Sequence, residues 1–594
     1  MRPVVFCALF LQVIPIMIAA QPRLEYTLSM PRPSGHLFEV TLRFAGLPAG
    51  KEVLDVRLPV WRPGRYLVLD FAGGVVRFDA RSGEGSPLAW TKTDKSTWRI
   101  RTAGATDIRV RYELYADEFD QRTRGLDDEH AFVSGTAVFM YSPEYRSLPV
   151  DLVVVPPAGW HVTTGLDSTA VNHFHAPDYD EFVDCPLEIG SQQDFGFDVD
   201  GVPHVLSIFG GGNWEPDTLI RDITKIVRAN REFWGKLPYT RYVFLLHCVA
   251  GGSGGTEHVN STIMGTGPFV FRNPDTYRGF LGLVSHEYFH TWNVKQIRPA
   301  ALVHPDFQKE NYTEELWMAE GTTSYFDGVL LVRAGLSTRG KFLEGVARGV
   351  YDDRLRPGNG VQSLAQSGFD AWIKYWRGTR ESFNEESDYY EKGAAASLVL
   401  DLEIRHATGN ARSFADVMRE LYRRFPRQGP GYTNADVRTL TGEIGGERMK
   451  GVFDSLVNGT GSIDWERVLA YAGLELVASD GAPGVWTGMD FSERDGRTRI
   501  TRVIAGAPSS AAGLDVGDEV VALEGRRITA SGLERRLKDF KPGDSLRLTV
   551  FRNDRLRDFV VKLEKPRVTP YRIRQAEKMT PGEKAILESW LPET

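Results

Sequence analysis

The sequence predicts a multidomain α+β protein, and three observations predict it. A chain of 594 residues is long enough for about three to five domains, and 42% hydrophobic with 25% charged residues is an ordinary balance for a folded chain. Residues 21 to about 190 alternate apolar and polar with period two. From about 191 strands mix with segments of 3.6-residue period, and residues 391 to 475 are helical throughout before short strands return at 484–566. A net charge of −7 gives no global basic field for nucleic acid.

The first 20 residues have the form of a signal peptide. Arg2 supplies the positive charge, Val4 to Ile18 is apolar but broken by Gln12 and Pro15, and Ala19-Ala20 precede Gln21. The chain is therefore expected to be exported, to the periplasm or the medium. An uncleaved anchor is the alternative, but the run is short and interrupted for a membrane span, so no span is expected after cleavage. Export leaves Cys185 and Cys248, which are either two buried free thiols or one disulfide.

Leu24–Leu28, Phe38–Phe44, Val53–Leu58, Thr97–Ile100 and Ile108–Leu114 read as strands separated by Gly, Pro and Asp turns. This is an antiparallel β domain of sandwich type over residues 21–190, placed to wall one side of a cleft. His173-Phe174-His175 reads as a surface loop, with no third ligand nearby. Residues 191–390 begin with a strand, Val202–Phe209, a helix, Asp217–Phe233, and a strand, Tyr242–Val249.

The most informative segment follows: His286-Glu287-Tyr288-Phe289-His290, an H-E-x-x-H inside an amphipathic stretch. Residues four apart share one helix face, so both imidazoles can converge on one Zn²⁺, with Glu287 off that axis and in reach of water. Asp275 or Thr276 caps the predicted helix and Pro299 ends the run. The alternative is a chance match with both histidines hydrogen-bonded in a core. Glu320 follows His290 by 30 residues, in Leu316-Trp317-Met318-Ala319-Glu320-Gly321, the start of a second helical stretch ending near Gly335. Two histidines and a glutamate leave a coordination position open, as catalytic sites do. Gly321 inside a helix points to close packing beneath the metal.

Gly251 to Gly255, Thr256, Glu257 and His258 form a glycine-rich loop after the Tyr242–Val249 strand. No Gly-Lys-Ser/Thr follows, which argues against a phosphate loop. Gly254 and Gly255 instead let a peptide backbone approach a strand edge, and Glu257 can pair with a cation. Tyr389-Tyr390-Glu391-Lys392-Gly393 opens a further helix. From its residues alone, Tyr390 is an aromatic packing residue or an oxyanion donor.

These motifs resemble, in this order, the glycyl aminopeptidase family of zinc peptidases, which carries a PDZ domain and is distantly related to the alanyl/leucyl aminopeptidases. The resemblance rests on the G-G-x-E-H loop, H-E-x-x-H, Trp292-Asn293-Val294-Lys295, W-x-x-E-G-T, Y-Y-E-K-G and the early Pro59-Val60-Trp61-Arg62-Pro63-Gly64, and covers most of the chain. It implies a thermolysin-like catalytic domain of the gluzincin type. It implies one Zn²⁺ per chain on His286, His290 and Glu320, with Glu287 as general base and Tyr390 stabilising the tetrahedral intermediate. It implies that Glu257 binds the substrate's free α-amino group, and that peptides with small N-terminal residues, Gly and Ala, are the substrates. A zinc endopeptidase, or a non-catalytic exported peptide-binding scaffold, are the competing classes.

Ser413–Phe425, Asn434–Glu443 and Trp465–Ala472 show helical spacing within 391–475, expected to close the back of the cleft. In 484–566, Ala511-Ala512-Gly513-Leu514 with Gly517-Asp518 resembles the signature of bacterial PDZ domains, with a hairpin across Asn553-Asp554. PDZ domains add an extended peptide to a sheet edge. Asp490, near the carboxylate-binding loop, speaks against capture of a peptide C-terminus. In the tail, Thr580-Pro581-Gly582-Glu583 forms a capping box, and Trp590 is expected to dock its helix.

Overall fold

A computed structural model describes residues 22–479 and 484–593. The expected signal segment, residues 1–20, lies outside the described residues. Among these, no helix is long and apolar enough to cross a membrane.

The N-terminal domain is built from a seven-stranded, a four-stranded and a three-stranded sheet. In the seven-stranded sheet Arg23–Ser29 pairs antiparallel with Leu37–Ala45 and parallel with Val150–Val155, so the expected all-antiparallel domain contains one parallel pair. The inward residues of these strands, Leu24, Tyr26 and Leu28 against Phe38, Val40, Leu42 and Phe44, are buried, as period-two alternation requires. His173–Ala176 is a strand and not a loop; its exposed face carries His175, whose Nδ1 meets Asp151 Oδ1 at 2.9 Å across Val150–Val155.

The catalytic half centres on a five-stranded sheet in the order Gln193–Val199, Val202–Phe209, Tyr242–Cys248, Ser261–Thr266, Gly255–Glu257. The last of these is an edge strand, antiparallel to Ser261–Thr266, its one ladder partner among the described residues. Two helices, Pro216–Trp234 and Pro274–Phe289, pack on the sheet, and a third, Thr322–Arg333, packs on both of them. Their shared faces carry Phe233, Trp234, Phe289 and Phe326, whose rings meet edge-on, tilted or stacked at 4.9–5.6 Å. The helix Glu391–Ala407 packs into the same core, which runs on through Phe414, Leu440, Trp465 and the docked C-terminal Trp590. Packing is therefore continuous across residue 390.

The C-terminal module has its own small core of Ile500, Leu523, Leu533, Leu548 and Val561. Asn553 and Asp554, both at positive φ, make its hairpin turn. The capping box at Thr580 and Glu583 forms as expected.

Candidate metal centre and cleft

The H-E-x-x-H helix starts at Asn273, whose side chain accepts from the amides of Asp275 and Thr276 at 2.9 and 3.2 Å. Asn273, and not Asp275 or Thr276, is therefore the cap, with Pro274 in the first turn where its missing N–H costs nothing. The helix stops at Phe289, ten residues before Pro299, with His290 as its C-cap. Phe280, Leu281, Val284, Tyr288 and Phe289 bury one face. The other turns His286 and His290 to the cleft.

Glu320 sits in a π-helical turn, Trp317–Gly321, that runs into Thr322–Arg333. Such turns shift the side-chain register and recur at functional sites; the sequence read as plain helix. A Cβ on Gly321 would stand 2.5 Å from Tyr389 O and from Gly393 Cα. Gly321 thus packs closely, as its place in a helix implies, and makes room for the backbone of the Tyr389–Gly393 turn. This close approach delivers Tyr390 to the cleft.

Three donor atoms converge. His290 Nε2 lies 3.1 Å from His286 Nε2 and 3.2 Å from Glu320 Oε2, and His286 Nε2 lies 3.7 Å from the same oxygen. Donors 2.0–2.2 Å from one tetrahedral Zn²⁺ would lie about 3.4 Å apart, so the set fits that ion. Each imidazole is held from behind: His286 Nδ1 meets Asp327 Oδ2 at 2.9 Å, and His290 Nδ1 meets the carbonyl of Asn293 at 2.6 Å. Such outer partners fix ring orientation and leave Nε2 for the metal. Burial works against the charge on Glu320, but His290 and His286 outweigh it and hold the carboxyl well below the usual range. The carboxylate is thereby kept ionised, as a metal ligand must be.

Glu287 is buried beside this set, and burial pushes its carboxyl up to about 7 against the pull of the histidines. Gly255 faces it so closely that a Cβ there would stand 2.6 Å from Glu287 Cγ and Oε1. Gly254 adopts φ +72°, which favours glycine. Glu257 ends the edge strand; its carboxylate, that of Glu287 and a nitrogen of His290 all lie within 4.8 Å of one another. Tyr390 stacks on the His286 ring with centroids 6.4 Å apart, backed by Tyr389 and Tyr375. Burial pushes its phenol well up, so it is a proton donor at neutral pH. Gly254, Gly255, Glu257, His286, Glu287, His290, Glu320 and Tyr390 line one cleft of about 350 Å³. Every candidate residue read from the sequence is there.

Sequence reasoning missed Asp327, seven residues and two helical turns after Glu320, and Arg122, whose Nη2 donates to Gly255 O at 3.0 Å from the N-terminal domain. The first could have been sought as a carboxylate on the same helix face; the second had no local signal. Cys185 and Cys248 are buried free thiols, not a disulfide.

An H-E-x-x-H helix, a glutamate from the next helix and a glutamate in reach of water define the metallopeptidase class. Residues 25–191 match the peptidase M61 N-terminal domain, residues 279–396 the M61 glycyl aminopeptidase family, and residues 487–563 a PDZ domain. The chain thus carries the two M61 domains followed by a PDZ domain, and is a zinc aminopeptidase by class. A solved aminopeptidase N family protein from Idiomarina loihiensis superposes with a TM-score of 0.89 at 26% identity, over 96% of this chain and 100% of that one. An M1 zinc metallopeptidase from Deinococcus radiodurans matches at 15% identity and TM-score 0.46, over 74% of this chain and 94% of that one. A search of curated proteins finds no match.

Proposed function

We propose that the enzyme removes small amino-terminal residues, Gly and Ala, from peptides with a free α-amine, with one zinc per chain on His286, His290 and Glu320. The observation that carries the reading is Glu257. It stands at the end of the edge strand, in the metal cleft, where its carboxylate meets the α-ammonium of a chain laid along that edge. A charge that anchors the chain end favours an exopeptidase over an endopeptidase. The converging donor set and the intact Glu287 favour an enzyme over a scaffold.

Bound zinc supplies Lewis acidity and brings water in an open coordination position toward a pKa of about 7. The protein's own groups do the rest. The Glu287 carboxylate takes the proton from the attacking water and returns it to the leaving amine. The Tyr390 hydroxyl donates to the carbonyl oxygen as charge develops there, a contact that strengthens toward the transition state. Gly254 and Gly255 keep the strand edge free of side chains, so that the substrate backbone lies close to Glu287.

The test is hydrolysis of Gly- and Ala-anilides with and without chelator, beside their N-acetyl forms. Glu257→Gln should depress the free-amine substrates far more than the blocked ones; equal loss on both would sink the exopeptidase reading. Export is proposed from residues 1–20, and amino-terminal sequencing of the mature protein tests it. The PDZ module is proposed to take an extended peptide at a sheet edge. Asp490 pairs with Arg502 at 3.3 Å, so the charge expected to repel a C-terminal carboxylate is partly compensated.

A further inference from the structure

Behind Glu257 lies a second cavity, of about 100 Å³, at the junction of the N-terminal and catalytic domains. Glu257 and Gly64 line both this cavity and the metal cleft. Its most unusual wall is Arg62, from the Trp61-Arg62-Pro63-Gly64 segment. Trp61 is fully buried, meets Trp372 edge-on at 4.9 Å and donates Nε1 to Asp306 O at 2.7 Å. Gly64 turns at φ +87° over Glu257, where a Cβ would stand 3.0 Å from Oε1. Between these two fixed points the Arg62 side chain enters the cavity with only 3% of the residue exposed.

The other charges of the cavity are accounted for, and Arg62 is not. Lys295 pairs with Asp184 at 2.7 Å, Arg427 with Glu181 at 2.9 Å and Arg146 with Asp180. Arg298 donates to the carbonyls of Val303 and Arg427. Arg62 Nη1 has no hydrogen-bond partner, and its guanidinium makes no ion pair among the described residues. Burial pushes the guanidinium down to about 10, with Glu257 the first influence opposing it. It therefore stays charged at neutral pH, and a buried charge without a hydrogen-bonded partner is strongly unfavourable unless an opposite charge is brought to it. Glu257 cannot serve fully once it holds a substrate ammonium.

We infer that this cavity is an anion subsite with Arg62 as its binding residue, filled either by the side-chain carboxylate of an acidic amino-terminal residue or by a free halide ion. Both present one negative charge of the right size to the same guanidinium. The carboxylate route rests on the free-amine aminopeptidase reading and adds acidic amino-terminal residues to the small ones proposed above; the halide route does not rest on it.

Two measurements on the full-length protein test the subsite. In the first, kcat/KM is compared for Asp- and Asn-anilides, which differ in charge and hardly in shape. A charge-assisted hydrogen bond predicts a preference for Asp of about tenfold, lost in Arg62→Gln and partly kept in Arg62→Lys. In the second, wild-type crystals are soaked in bromide and Gly-anilide turnover is followed as chloride replaces acetate at constant ionic strength. Anomalous density at Arg62 with halide-dependent turnover assigns the site to a free ion, and needs no variant that folds. An Asp/Asn ratio near one, with neither bromide density at Arg62 nor halide dependence, overturns the subsite. Bromide density with no anilide hydrolysed would keep the subsite and remove the peptidase reading instead.

Discussion

Among the described residues lie two clusters of two histidines and one glutamate, and they are built for different ends. In the cleft, His286, His290 and Glu320 point three donor atoms at one spot, 3.1–3.7 Å apart, and each histidine is held from behind by Asp327 or the Asn293 carbonyl. In the other, Glu188 lies between His130 and His247, one oxygen toward each at 2.8 Å. Both are shorter than the spacing of about 3.4 Å expected of neighbouring ligands on one tetrahedral ion, and only the His247 contact is aligned as a hydrogen bond. No hydrogen bond reaches the Nδ1 of His130 or His247 among the described residues. The first cluster has the donor geometry of a metal site; in the second a buried carboxylate bridges two histidines and so fastens the N-terminal domain, through His130 and Glu188, to the strand Tyr242–Cys248. Residue type alone does not separate them. Convergence of lone pairs and the presence of outer partners do.

The comparison breaks most sharply at Glu287. Glu287→Gln should leave zinc content at one equivalent and reduce turnover by more than about 10³, since the proton acceptor is gone while every donor to the ion remains. Zinc lost together with activity would move Glu287 into the ligand set, and normal turnover would remove it from the chemistry. Next in size is Tyr390→Phe, expected to lower kcat by about 10²–10³, the loss of one oxyanion donor. An unchanged kcat would return Tyr390 to aromatic packing against Tyr375 and Tyr389.

The same contrast explains what could be read in advance. His286, Glu287 and His290 were legible because helix periodicity alone places them on one side, four residues apart. Glu320 needed only a return helix of the right length. The strands of the N-terminal domain were legible from period-two burial, as in Leu37–Ala45, where each inward residue is apolar. The π turn at Trp317–Gly321 was not, because it arises from the crossing with Tyr389–Gly393, a contact between segments some 70 residues apart that leaves only two glycines as its trace. The parallel pairing of Arg23–Ser29 with Val150–Val155 was hidden for the same reason: alternation fixes which face is buried, not which strand lies alongside. Arg62 was visible in a motif but carried no meaning until the cavity around it appeared.

Glu188→Gln probes the second cluster by stability. It leaves two buried histidines without their carboxylate, which should cost on the order of 3 kcal/mol in urea unfolding, with zinc content unchanged. The cost should depend on pH in a defined direction. Burial raises the Glu188 carboxyl, but His247 and His130 outweigh it and hold it at about 2, below its ordinary 4.5. A depressed carboxyl stabilises fully above the unfolded value and loses that contribution as pH falls toward the folded one. The gap between wild type and Glu188→Gln should therefore close as pH falls from about 4.5 to about 2. A gap that widens as the solution is acidified, or a second equivalent of zinc that disappears with Glu188, would make the cluster something other than a carboxylate bridge.

The smallest expected effect is the most discriminating, because it asks whether the outer partner distinguishes the two clusters. Asp327→Asn keeps a side chain of the same shape beside His286 Nδ1 but removes the charge. Loss of an outer-shell carboxylate weakens metal affinity by about 10–100-fold. The expected outcome is a zinc dissociation constant raised within that range by chelator competition, with kcat at saturating zinc close to wild type. The carboxamide still aligns the ring, so the protein should melt as wild type does in the presence of zinc and lower in its absence. An affinity left unchanged would mean that convergence of Nε2, Nε2 and Oε2 is by itself enough to make a metal site. The distinction from His130, Glu188 and His247 would then rest on donor spacing alone.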